Sequence, residues 1–268
     1  MDSHFEYLAE QGIFHGNACP LMGTKLDLLT VGADRQTVQE VWDRICAKGA
    51  QLEKMLSGND PGGELGRFHA GRRLAHSPIS EELCHILETA LDYRLPTCCL
   101  YDVTLGKSGL VDLNTENCTL SLYGATLDFG GFRKGWLLEY CRQELLSAGV
   151  GTAFVDFGSS VILGIGKHPY GDAWKVSLTN PFSRIPLSEV SLCDRALSIS
   201  ANGPGFTGRI IDPKTGLPCD RRRLTAVTSP DPVEAKVLST ALMLASDDDV
   251  ERMKSRFPNA TLYCFDLS

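Results

Sequence analysis

Apolar residues recur every three or four positions from Gln36 to Leu56, and Val38, Val41, Trp42, Ile45, Leu52 and Met55 fall on one broad face, which predicts an amphipathic helix. The same period predicts helices over Ser80–Tyr93, with Leu83, Ile86, Leu87, Ala90 and Leu91 inward, over Phe132–Ala148, and over Val233–Ala245. Ser80 is a suitable N-cap, the two acids after it suit the positive end of a helix dipole, and Gly149 stops the third helix. Shorter apolar runs predict strands at Lys25–Val31, Ala125–Phe129, Thr152–Phe157, Trp174–Leu178, Leu197–Ser200, Leu224–Thr228 and Thr261–Phe265. Several of these strands follow one another through turns. The expected class is therefore α+β with mixed or antiparallel sheets, not a doubly wound parallel sheet. Ser57–Gly66 is rich in Gly, Asn, Asp and Pro and reads as a surface loop. There is no repeat and no clear linker, so residues 1–268 read as one compact domain with room for two lobes.

Composition narrows the functional classes. Hydrophobic residues at 43 % and charged residues at 22 % are ordinary for a folded globular chain and exclude a disordered one. A net charge of −7 provides no overall positive field for phosphates and argues against a nucleic-acid partner. The ten cysteines include no C-x-x-C pair, and Cys98 and Cys99 are adjacent, too close for a relaxed disulfide. With no matching histidine spacing, they read as small buried hydrophobes in a reducing compartment rather than as zinc ligands. The N-terminal residues have no basic region followed by an apolar one, and no stretch reaches the about 18 apolar residues that span a bilayer. The expectation is a cytoplasmic protein without membrane insertion.

Three segments could carry chemistry. In Leu127–Trp136 a predicted strand ends at Asp128, Gly130 and Gly131 follow, and a helix begins with Lys134 in its first turn. Glycines let backbone approach a ligand, and a helix start offers free N–H groups to an anion. Without other support this is also an ordinary strand–turn–helix junction. Arg209–Gly216 contains Asp212-Pro213-Lys214-Thr215-Gly216, which by itself is a good type I turn. Ala235–Leu242 by itself is a buried amphipathic helix. Arg221–Arg223 reads as a solvated loop, and Gly164–Lys167 lacks the spacing of a P-loop.

Taken together and in order, these segments resemble the ApbE-type flavin transferases (FAD:protein FMN transferases), over nearly the whole chain. Met22-Gly23-Thr24 resembles the family's M-G-T, and Tyr101–Gly106 its F-D-P-T-V-G. Asp128–Gly135 resembles D-L-G-G-I-A-K-G, Ile211–Gly216 falls in H-I-I-D-P-x-T-G, and Ala235–Leu242 resembles A-D-A-L-A-T-A-L. The loop from Leu56 to Leu65, with Asn59, falls where the family places a serine–aromatic–polar loop beside the flavin.

The resemblance implies an ApbE-like, tunnelling-fold-like mixed-sheet domain that cleaves FAD and attaches FMN to a Thr or Ser of an acceptor flavoprotein. FAD is then the substrate, and Mg²⁺ is the family's metal. The residues implied along the FAD are Met22, Asn59, Leu100, Tyr101, Asp102, Asp128, Gly130, Gly131, Lys134, Arg209 and Ile210. Asp128, Lys134, Arg209 and Lys236 are the implied catalytic set, and Thr240, Ser239 and Gly131 the implied metal set.

The chain departs from the family at several of these positions. Lys236 stands where the family has a metal-ligating acid, and an ammonium cannot ligate a cation. Arg209 stands in place of a histidine, so a candidate proton acceptor is replaced by a permanent cation. Gly158-Ser159-Ser160 replaces G-G-D, and Ser198–Asn202 replaces A-T-S-G. Two readings follow: a transferase in which fixed positive charges serve in place of the metal, or an impaired homologue that binds flavin or nucleotide without turnover.

Overall fold

Asp34 opens the first long helix because its carboxylate accepts the N–H groups of Gln36 and Thr37, two donors that the helix itself cannot satisfy. In a computed structural model that describes residues 1–71, 75–205 and 207–267, the elements in chain order are as follows. The first half holds β1 (Asp2–Leu8), β2 (Ile13–Leu21), β3 (Thr24–Val31), α1 (Arg35–Met55), α2 (Glu64–His69), β4 (Ser77–Pro78), α3 (Glu81–Asp92), β5 (Asp112–Asn114) and β6 (Thr119–Ser121). The second half holds α4 (Phe132–Ser147), β7 (Ala153–Phe157), β8 (Val161–Ile165), β9 (Trp174–Thr179), β10 (Pro186–Leu192), β11 (Arg195–Ala201), β12 (Arg223–Ser229), α5 (Pro232–Leu242), α6 (Asp247–Arg256) and β13 (Thr261–Asp266).

The four expected helices form within a few residues of their expected ends, and Ser80 caps α3 by accepting from the N–H of Leu83. The molecule is α+β. Its main sheet has eight strands in the order β1-β2-β3-β7-β8-β11-β12-β13. Every neighbouring pair in it is antiparallel, the second of the two arrangements that the strand pattern allows. The end strands β1 and β13 do not pair with each other, so the sheet is open rather than a barrel.

Helices α1, α4 and α5 cover one face of this sheet. The β9–β10 hairpin covers part of the other face through Trp174, Leu178, Val190 and Leu192, which pack on Ile162, Leu197, Leu224 and Ala226. Strand side chains alternate between the two layers. In β8, Val161, Leu163 and Ile165 enter the helix-side core while Ile162 enters the hairpin-side core, so all five residues of that strand are buried.

The structure corrects the expectation at several points. Ala125–Phe129 is not a strand. Its N–H groups go to partners outside any sheet: Leu127 donates to His69 Nε2 and Asp128 to the Val103 carbonyl. The Ser57–Gly66 loop runs into a short helix, α2, whose Gly66 lies against the Asp60 carbonyl where no Cβ would fit. Strands β1, β2, β4, β5, β6, β8 and β10 and helix α6 were not expected. β1 and β2 are rich in polar residues on their outer face, and α6 is polar nearly all round, burying only Met253. A capping box between Ser246 and Asp249 starts that helix.

Candidate functional site

Three backbone junctions bring the candidate segments together. Asp128 N–H donates to the Val103 carbonyl at 2.8 Å, which ties the Tyr101–Gly106 segment to the start of α4. Gly106, at φ +83°, lies against the Pro213 carbonyl where a side chain would collide, and this seats the Asp212–Gly216 turn on the same segment. Gly131 and Gly135 let α4 approach α5 closely: a Cβ on Gly135 would stand 2.9 Å from the Pro232 carbonyl, and one on Gly131 would meet Lys236 Cε. Phe132 fixes the helix start from below, stacked between Tyr101 at 6.4 Å and Trp136 at 5.7 Å between ring centroids.

Two clefts result. The first, about 410 Å³, is walled by Leu100, Tyr101, Leu105, Ile211 and Pro213, with Asp102, Asp128, Gly130, Gly131, Arg133 and Thr240 among its polar lining. The second, about 590 Å³, lies between the main sheet and the β9–β10 hairpin, and its walls carry the hydroxyls of Thr24, Ser159, Ser177, Thr179 and Ser200. Lys134, Ser160, Arg209, Ile210 and Lys236 line both, so the clefts meet at a waist that holds three cationic side chains. A hollow of about 690 Å³ lies elsewhere, between α1, α3 and α4. Its charged groups already pair with each other, Lys48 with Glu82 and Arg142 with Glu139, and none of the candidate segments reaches it except through Trp136.

Electrostatics at the waist are unusual for an acidic chain. Lys236 is only 9 % exposed, and its Nζ donates to Ser200 Oγ at 3.2 Å. Burial, and then the charge of Lys134, push its ammonium down to about 8. Lys134 is half-buried with its Nζ 5.3 Å from the centre of the Phe157 ring, and burial followed by the charges of Arg133 and Arg209 lowers its pKa. Arg209 is exposed, and Arg133 has a buried Nε with no hydrogen-bond partner.

The two acids of the first cleft are committed unequally. Asp102 is buried; one oxygen accepts from Thr104 N and Oγ1 and the other from Arg94 Nε at 3.1 Å. Asp128 is exposed, and its Oδ1 accepts from Gly130 N at 2.7 Å. That contact is an Asx turn, not a helix cap, because α4 begins at Phe132 with Gly131 before it and no side-chain cap.

The expected residues sort clearly by place. Leu100, Tyr101, Asp102, Asp128, Gly130, Gly131, Lys134, Arg209, Ile210, Lys236 and Thr240 share the first cleft. Met22 does not line it: the side chain is buried at the β2–β3 turn, beside Gly23 and Thr24, which line the second cleft. Asn59 is exposed on its loop and lines neither cleft. Ser239 points inward, to Ser198 Oγ at 2.8 Å and Ser200 Oγ at 3.0 Å.

Sequence reasoning missed Arg133, Ser200 and His69. Arg133 sits between two singled-out residues. Ser198 and Ser200 are two apart on one strand and so share a face, which was a usable signal. His69 has no local signal, since it holds Leu127 N from 58 residues away.

The oxygen donors do not form a cage for a divalent cation. Thr240 Oγ1 and Ser239 Oγ both donate to the Lys236 carbonyl, at 3.0 and 3.1 Å, and the Gly131 carbonyl accepts from Lys134 N at 3.2 Å. No group of three His, Cys, Asp or Glu side chains that could hold a metal occurs among the described residues, and the buried Lys236 ammonium stands beside Gly131 and Ser200. The residues present therefore do not fit Mg²⁺.

Known proteins resemble this chain in sequence and in fold. A sequence profile of the ApbE family matches residues 109–264, more than half of the chain. A FAD:protein FMN transferase of Rhodobacter capsulatus is 29 % identical over 161 residues, 56 % of this chain but only 30 % of that protein's length. A FAD:protein FMN transferase of Salmonella typhimurium is 21 % identical over 279 aligned positions, 88 % of this chain and 79 % of that one. The crystal structure of an ApbE protein from Thermotoga maritima superposes with a TM-score of 0.80 over 93 % of both chains at 18 % identity, which shows the shared fold. With the profile spanning α4, α5 and the waist residues Lys134, Arg209 and Lys236, the chain belongs to the ApbE family.

Proposed function

We propose that this chain, with residues 1–268 acting as one unit, is a FAD:protein FMN transferase that moves FMN from FAD to a Thr or Ser hydroxyl of an acceptor protein. The observation that carries this is the pair of clefts joined at a cationic waist. FAD is two flat aromatic units joined by a diphosphate. An apolar-walled cleft and a hydroxyl-lined cleft on either side of Lys134, Arg209 and Lys236 match that division of shape and charge. The relatives named above support the same reading.

In this reading Lys236 and Arg209 hold the phosphate oxygens, and Lys134 adds charge from the first turn of α4. Asp128, at the rim, and Asp102, locked by Arg94 and Thr104, border the base or the flavin ring. Phosphoryl transfer needs mainly positioning and charge neutralisation. The acceptor oxygen bonds to the FMN phosphorus as the bond from that phosphorus to the bridging oxygen breaks. AMP leaves with the bridging oxygen, and the hydroxyl proton passes to water.

The test is to incubate the protein with FAD and a flavinylation domain bearing an acceptor threonine. AMP release, in equal amount with covalent fluorescent flavin on the acceptor, is expected. If FAD is held but no AMP appears with or without Mg²⁺, the transferase reading fails in favour of a chain that only holds flavin nucleotide.

A further inference from the structure

We infer that Lys236 serves as a tethered cation in this site, holding the diphosphate of the ligand where a divalent metal would otherwise sit, so that binding needs no metal. The inference rests on the nucleotide reading above and goes beyond it.

Four observations carry it. First, the Lys236 ammonium is nine-tenths buried at the point where the two clefts meet, and its only hydrogen bond there is to a neutral hydroxyl, Ser200 Oγ. An ammonium has three donors, and no ion pair among the described residues includes this one. A buried charge without a counter-charge is unfavourable, and an anion entering the waist would remove that cost.

Second, the ammonium is held in place. Gly131, lacking a Cβ, leaves the gap through which Cε passes. Ser200 is fixed by Ser239, and Ser239 in turn by Ser198, at 3.0 and 2.8 Å. Thr225 Oγ1 anchors the Ser239 carbonyl at 2.6 Å. A positioned charge costs little to organise when the ligand arrives.

Third, the carboxylates that would anchor a divalent cation are missing: the side chain one turn before Thr240 is Lys236, and no group of three His, Cys, Asp or Glu side chains that could hold a metal occurs among the described residues. Fourth, Lys134, Arg209 and Arg133 line the same cleft with Lys236, against two acids, Asp102, which is already paired with Arg94, and Asp128 at the rim; the surplus is positive, which a diphosphate would neutralise and a divalent ion would increase.

The experiment measures FAD binding by flavin fluorescence and inorganic pyrophosphate binding by calorimetry, each in EDTA and in excess Mg²⁺. For the wild-type chain both affinities should agree within about twofold between the two conditions. Lys236→Met keeps the length and removes the charge. It should weaken both ligands by about 10–100-fold, the worth of a charge-assisted contact, while melting no lower than wild type. Lys236→Asp should bind FAD weakly in EDTA, recover with Mg²⁺, and show bound Mn²⁺ by electron paramagnetic resonance where the wild-type complex shows none.

A wild-type chain that loses tenfold or more of its FAD and pyrophosphate affinity in EDTA overturns the inference, as does a Lys236→Met chain that binds like wild type. If FAD is refused in both conditions but pyrophosphate is held in EDTA, the flavin-nucleotide reading falls and the tethered cation stands. If neither ligand binds in EDTA, the tethered cation falls. Should Lys236→Met fail to fold, the wild-type comparison in EDTA and Mg²⁺ decides the question without it.

Discussion

His69 shows how a single side chain can assemble a site without entering it. Its Nδ1–H donates to the Gly58 carbonyl at 3.2 Å, and its Nε2 accepts from Leu127 N at 2.9 Å; the second contact requires the neutral ring. Burial lowers its pKa, partly opposed by the Gly58 contact and by Asp128. The sign follows from linkage. The unfolded ring takes up a proton more readily than the folded one, so stability is full above the unfolded value near 6.5 and falls as pH drops from there towards the lower folded value. His69→Gln can form both hydrogen bonds and cannot titrate. Urea denaturation at pH 7.5 and 5.5 should show wild type losing more stability over that interval than His69→Gln. Equal losses would mean that the ring is not held neutral at this junction.

At the scale of elements, the site depends on segments packed at the closest distance their backbones allow. Gly106 and Gly124 separate two effects, because both have φ near +85° (+83° and +86°) but only Gly106 meets another backbone, at the Pro213 carbonyl. Gly124→Ala should cost about 1 kcal/mol, the strain of a side chain in that conformation. Gly106→Ala should cost about 2–3 kcal/mol and also weaken FAD binding, because the Asp212–Gly216 turn must move away from the cleft wall. Denaturant unfolding of both variants checks this, and equal losses would show that the Gly106 contact does not matter to the packing. The helices themselves were legible because apolar spacing and caps such as Ser80 act within a few residues. Ala125–Phe129 was misjudged for the opposite reason: its apolar residues suit a strand, but its backbone partners, His69 and Val103, come from elsewhere in the chain.

For the whole molecule, the second cleft exists only because the β9–β10 hairpin closes over the main sheet. Leu192 is fully buried in the hairpin-side core, and Ser177 and Thr179 of β9 form the outer wall of that cleft. Leu192→Ala should cost about 2–5 kcal/mol in stability, as large-to-small changes in a packed core do. FAD binding should weaken at temperatures where the variant is still folded, since the wall loses its support. Fluorescence titration on the folded variant is the measurement, and unchanged affinity would show that the hairpin is not part of the ligand's surroundings. No helix among the described residues is long and apolar enough to cross a membrane, and no disulfide joins any of the ten cysteines, four of which are buried.

The sequence by itself determined the four longer helices α1, α3, α4 and α5, six of the thirteen strands found among the described residues, the α+β class and the set of segments that bear chemistry, because hydrophobic period, capping and turn residues are local properties of the chain. It also showed that Lys236 and Arg209 replace an acid and a histidine of the family pattern. What it could not decide was where those charges go. Residues 128–134, Arg209 and Lys236 meet only because an antiparallel sheet of eight strands places β8, β11 and α5 side by side and glycines let the elements close up. Whether a lysine is a solvated surface charge or a nine-tenths buried cation at the waist of two clefts depends on its distance from Ser200, Lys134 and water. Those distances belong to the tertiary structure, since Ser200 and Lys134 are remote from Lys236 along the chain.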